Sequence, residues 1–112
     1  MKLFAGLRKI REFEKLQLSF LNSVFDFDIV IEIGYHEEVG HPLTLKQLFL
    51  LEICPRSTVR RKLGKLIDQG ILIRRKHTHD QRASLFGVSA SAVKLLGKYG
   101  STITSISASH FS

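Results

Sequence analysis

Between Pro55 and Ser89 the apolar pattern changes period, and this change narrows the architectures open to the chain. Over residues 57–69, Val59, Leu63, Leu66 and Ile67 return at helical spacing and form one apolar stripe. Pro55 suits the start of a helix, because its missing N–H would have no partner in the first turn. Gly70 supplies the left-handed residue at which a helix stops. Ile71-Leu72-Ile73 followed by Arg74-Arg75-Lys76 then reads as a strand that leaves a core and emerges charged. Residues 83–88 form a second strand candidate, which makes residues 77–82 the tip of a hairpin. Upstream, Thr44 can cap a short helix through Gln47 and Leu48. The pattern is short helix, tight connection, second helix, two strands.

The flanks are mainly helical. Leu3, Leu7, Ile10, Phe13, Leu16 and Phe20 recur every three or four residues, a stripe that serves a core or a dimer surface equally well. Asn22-Ser23 interrupts it. Phe25, Phe27, Ile29, Ile31, Ile33 and Tyr35 alternate as a strand does, yet Asp26 is a candidate N-cap and Gly40 can end a helix running to Val39. Local pattern leaves both readings open. After the His41-Pro42 break and the elements above, Ser89 can cap a last helix using Val93, Leu96, Tyr99, Ile103 and Ile106, with fraying expected beyond Ser107. With 112 residues, 44% of them hydrophobic, the expectation is one domain over 1–112, with residues 1–24 and 89–107 as dimerisation elements. The apolar runs are too interrupted to span a bilayer, and residues 1–4 lack the apolar core of a signal peptide. The single cysteine, Cys54, excludes an internal disulfide framework and fits a reducing, cytoplasmic setting.

Charge is distributed unevenly. Residues 1–54 carry six Lys/Arg against eight Asp/Glu, whereas residues 55–82 carry nine against Asp68 and Asp80. One quarter of the chain thus holds an excess equal to the whole formal charge of +7, the footprint expected for a polyanion partner. On the helix over 57–69 the side opposite the apolar stripe presents Ser57, Arg61, Gly64 and Lys65, flanked by Thr58 and Arg60, with Asp68 at the far end. A helix-turn-helix with this face sends its second helix into the major groove. Two strands with a cationic tip directly after it make a winged helix, whose tip lies across phosphates and whose arginine enters the minor groove. Arg82 is the residue for that insertion, and Asp80 the brace that holds it or the turn. The expected fold class is mainly α with a small β-hairpin wing (α+β), a winged helix-turn-helix.

At these residues the chain resembles the MarR family of transcriptional regulators. The likeness spans residues 43–96 and rests on Ser57-Thr58-Val59, Arg61, Leu66, Gly70, Arg74-Arg75, the Asp80-x-Arg82-Ala83 wing and the strand leading into Ser89. It favours the helix over residues 25–39. It implies sequence-specific binding of double-stranded DNA by a homodimer, with Ser57, Thr58, Arg60 and Arg61 at the groove or its phosphates and Arg82 in the minor groove. Lys65, Arg74, Arg75, Lys76 and His77 complete the expected DNA-binding set. Lys62 and Gly64 stand where the family more often has an apolar residue and a polar one.

Rival chemistries find little support. His77 and His79 share a strand face but Asp80 points away, the other histidines are scattered, and adjacent cations oppose a divalent ion, so no metal is expected. Nucleophile elbows, glycine-rich phosphate loops and paired catalytic carboxylates are missing, which argues against an enzyme and against a cofactor. Asp26 and Asp28 read as caps or surface groups. The alternative function is a winged-helix interaction module within a larger nucleoprotein or protein assembly.

Overall fold

A computed structural model describes residues 1–76 and 83–112. His77, Asp80 and Arg82, expected at the wing, lie outside the described residues. The elements run α1 (Leu3–Gln17), α2 (Val24–Glu38), α3 (Leu45–Leu50), α4 (Arg56–Asp68), β1 (Leu72–Lys76), β2 (Ser84–Val88) and α5 (Ala90–His110). The described residues are mostly helical with one two-stranded antiparallel sheet. It divides into two compact units, Ser23–Ala92 and a unit made of Met1–Asn22 with Val93–Ser112.

In the Ser23–Ala92 unit, α2 resolves the ambiguous segment as helix. Asp26, Ile29, Val30 and Ile33 are its buried residues and share one helical face, while Phe25, Ile31 and Tyr35 are exposed. The alternation arises because α2 is apolar on most sides, and two-residue spacing then appears without a strand. Its N-cap is Ser23, whose hydroxyl accepts from the Asp26 N–H at 3.2 Å. Asp26 is therefore neither cap nor surface group: it is fully buried in the first turn.

Local chemistry sets the other boundaries. Thr44 and Gln47 form a reciprocal capping box at α3, with bonds of 2.9 and 3.2 Å. Gly40 and Gly70, at φ +85° and +72°, end α2 and α4 in the left-handed conformation. At both ends the next residue's N–H reaches back to the last turn, His41 to the His36 carbonyl and Ile71 to that of Leu66. β1 and β2 pair in register from Leu72 opposite Val88 to Lys76 opposite Ser84.

Two contacts extend that sheet. The Phe86 N–H donates to the Leu43 carbonyl at 3.0 Å, and the Val88 N–H to Glu37 Oε1 at 3.2 Å. A Cβ at position 87 would meet the Glu37 carboxylate, so Gly87 leaves room for that side chain to reach the Val88 N–H. Leu48, Val59, Leu63, Leu66, Leu72, Phe86 and Val88 join Ile29, Val30 and Ile33 in the core of this unit.

The other unit departs from the expected stripe. Leu3, Leu7 and Leu16 are exposed, whereas Gly6 is buried and Ile10 and Phe13 are half-buried. α1 ends at Gln17, and the residues buried in and after its C-terminal turn are Leu18 and Leu21. Phe13 stacks on Tyr99 at 5.6 Å, and the Tyr99 hydroxyl donates to Glu14 at 2.5 Å. α5 stays helical to His110, past the expected fraying point. The Lys2 N–H donates to the His110 carbonyl and the His110–Phe111 side chains close over Gly6. Val93 is exposed, not core.

Candidate nucleic-acid interface

α4 is held on one side and open on the other. Val59, Leu63 and Leu66 are buried, and the fourth buried residue is Lys62, not Ile67, which is half-buried. Lys62 donates to Asp26 Oδ1 at 2.9 Å and to Ser23 Oγ at 3.1 Å. An ammonium at an apolar position is tolerable because a carboxylate and a hydroxyl await it at the start of α2. Opposite this face, Ser57, Arg61 and Gly64 form an exposed ridge with Asp68 at its C-terminal end. Thr58 and Lys65, both half-buried, lie on one flank, and Arg56 and Arg60, both exposed, on the other.

The Arg60 flank opens into a groove of about 590 Å³ lined by Thr44, Leu45, Lys46, Arg60, Arg74, Ala83, Ser84 and Phe86. Among the described residues its lining holds three cations and no carboxylate. Arg74, opposite Phe86 in the sheet register, stacks over that ring at 5.7 Å, so β2 aims an arginine of β1 at the groove. Strand alternation puts Lys76 on the same face of β1 as Arg74 and puts Arg75 on the other. All three are exposed.

Of the expected site residues, Arg60 and Arg74 meet in the groove, Ser57 and Arg61 form the ridge, and Arg75 faces elsewhere. His77, Asp80 and Arg82 lie outside the described residues. Two residues were not singled out in the sequence. Lys46 belongs to the chain's acidic half and reaches the groove only through the packing of α3. Phe49, on the same short helix, receives two arginines of α4, Arg56 at 5.3 Å and Arg60 at 5.2 Å from its ring centre. No pattern of spacing announces either contact.

Cys54, in the turn before α4, has its thiol pKa raised, chiefly by burial, against the opposing pull of Lys62 and Arg61. A raised pKa leaves less thiolate, the opposite of an activated nucleophile. Among the described residues no group of three or more His, Cys, Asp or Glu side chains could hold a metal ion. Among them, too, no helix is long and apolar enough to cross a membrane.

No family model matches the chain, and no curated protein matches it by sequence. Its fold does have counterparts among solved structures. The S. aureus MepR–DNA complex aligns over 95% of this chain and 86% of its own, with TM-score 0.72 and 17% identity. A transcriptional regulator from Thermotoga maritima aligns over 92% and 76%, with TM-score 0.65 and 23% identity. MarR aligns over 93% and 74%, with TM-score 0.61 and 17% identity. The chain thus has the winged-helix fold of these regulators.

Proposed function

We propose that the chain is a sequence-specific double-stranded DNA-binding transcriptional regulator, a binding protein with no catalytic step. The observation that carries this reading is the cationic groove beside α4. Among the described residues it has Lys46, Arg60 and Arg74 on its walls and no carboxylate, with the polar ridge of α4 alongside. A groove of that charge accepts a sugar–phosphate backbone while the ridge enters the adjacent major groove. Ser57 and Arg61 then face base edges, with Gly64 permitting close approach, and Thr58 and Lys65 take phosphates on the opposite flank. Asp68, at the C-terminal end of the ridge, stays away from the end that enters.

The wing supplies the rest of the contacts. Lys76 and His77 follow the backbone that lies in the groove, Arg75 on the other face of β1 meets a neighbouring phosphate, Arg82 inserts into the minor groove, and Asp80 braces it. Two structural neighbours, S. aureus MepR and E. coli MarR, have been solved on DNA, which supports the reading by likeness of fold. A homodimer would place two α4 helices on two half-sites of a palindrome. Each phosphate neutralised adds about 0.9 to the salt slope, so six contacts give a slope of roughly −5.

An anisotropy titration on preferred and random duplexes tests this directly. Wild-type protein binds both at low salt, prefers the selected sequence, and weakens steeply as salt rises. Arg61→Ala costs about 1–3 kcal/mol on the selected duplex and much less on the random one. Absence of any duplex binding at low salt would overturn the proposal, and a monomer by light scattering on saturating duplex would remove the two-fold arrangement.

A further inference from the structure

α3 offers a half-exposed phenylalanine to the beginning of α4, and two arginines share it. The Arg56 and Arg60 guanidinium carbons stand 5.3 and 5.2 Å from the centre of the Phe49 ring. They are four residues apart on α4, hence neighbours on the flank that faces α3. Like charges at that spacing repel, and among the described residues neither arginine has a carboxylate at ion-pair distance. A carboxylate would neutralise them. An aromatic face orients a guanidinium through its quadrupole while leaving the full charge and the N–H edge available to an outside acceptor.

Resting on the DNA-binding reading, we infer that Phe49 is a positioning residue that presents Arg56 and Arg60 together to the phosphodiester backbone. Arg56, absent from the expected site, thereby becomes a phosphate contact. The ring limits the rotamers of two long side chains before binding, so less freedom is lost when the phosphate arrives. Arg60 has a second wall as well, since it also lines the groove that holds Arg74 and Lys46. The platform therefore continues the cationic track from the wing strand across α4 to the end of α3.

The test is a titration series on one duplex at several salt concentrations. Phe49→Leu should weaken binding about 3- to 10-fold and flatten the salt slope, while Phe49→Tyr, which keeps the ring, binds as the wild type does. Arg56→Ala with Arg60→Ala should reduce the slope by roughly 2. On that arginine-free background Phe49→Leu should cost nothing further. Should Phe49→Leu not fold, Phe49→Met keeps the apolar volume without the ring face and is read the same way. Wild-type binding left intact by both substitutions would overturn the inference, as would an equal loss with and without the arginines, which is the mark of a purely structural role. If the wild type binds no duplex, the DNA reading itself falls and this inference with it.

Discussion

Replacing Lys62 by methionine should destabilise the protein by about 3–5 kcal/mol, because it removes the ammonium that balances the charge of a buried carboxylate. Asp26 is 0% exposed and Lys62 8%, with 2.9 Å between the charged atoms. The two partners are not equivalent. Removing the ammonium leaves Asp26 with no route to water, whereas Asp26→Asn leaves a carbonyl oxygen that still accepts from Lys62, and Lys62 can partly reach solvent. The asparagine variant should therefore lose only about 1–3 kcal/mol, the ordinary cost of weakening a buried charged hydrogen bond. Changing both, Asp26→Leu with Lys62→Met, should recover most of the loss, since paired apolar replacements of buried ion pairs are often neutral. The helix start survives in that variant, because Ser23 caps the backbone N–H of residue 26 and not its side chain. Urea denaturation followed by circular dichroism is a sufficient assay. With a slope of about 1–3 kcal/mol per molar urea, Lys62→Met should lower the midpoint by about 1 M or more. A loss below about 1 kcal/mol, or a double variant no better than the single one, would refute the claim that this pair is desolvated and mutually dependent.

Three further outcomes follow from the geometry. Gly87→Ala displaces the Glu37 carboxylate from the Val88 N–H and should cost about 0.5–1.5 kcal/mol, visible as a lowered melting temperature; an unchanged melt would mean that this hydrogen bond contributes nothing to stability. Glu52 holds φ +53° in the turn between α3 and α4, so Glu52→Gly should stabilise by about 0.5–1 kcal/mol after the entropy of the freer unfolded chain is subtracted. A lowered urea midpoint for that variant would contradict the strain. Tyr99 is pushed up to about 12 by burial and by its hydrogen bond to Glu14. Because the folded value is the higher one, this contribution to stability is complete below the ordinary tyrosine value near 10 and is lost as pH rises toward 12. In a Tyr35→Phe background, where Tyr99 is the only phenol, ultraviolet titration should give that raised value, and Glu14→Gln should lower it.

The parts of the fold that were legible are those whose causes lie within a few residues. Thr44 with Gln47, Ser89 with the start of α5, and the glycines at 40 and 70 act over one turn of chain, and each sets an element boundary where its chemistry requires. The strands flanking the wing were legible for the same reason, since a change of period needs only a short window. Legibility failed where the apolar pattern was ambiguous about its own partner. In α1, leucines at perfect helical spacing remain exposed while Gly6 is buried, because the aromatic ring of Phe111 takes the space that a larger side chain would need. In α2, apolar residues on most faces imitate a strand.

By itself, then, the sequence determined the order of elements, the stop and start of most of them, and the concentration of cations on α4 and β1. Tertiary structure alone decided which of those cations are available. Lys62 is withdrawn into an ion pair with a residue 36 positions away, and Glu37 reaches 51 positions to the β2 backbone. Arg60 and Arg74, from different elements, line one groove, each with its guanidinium over a phenylalanine ring, Phe49 and Phe86. A charge count cannot separate a buried ammonium from an exposed guanidinium. That distinction is desolvation, and it depends on what the folded chain brings to each side chain.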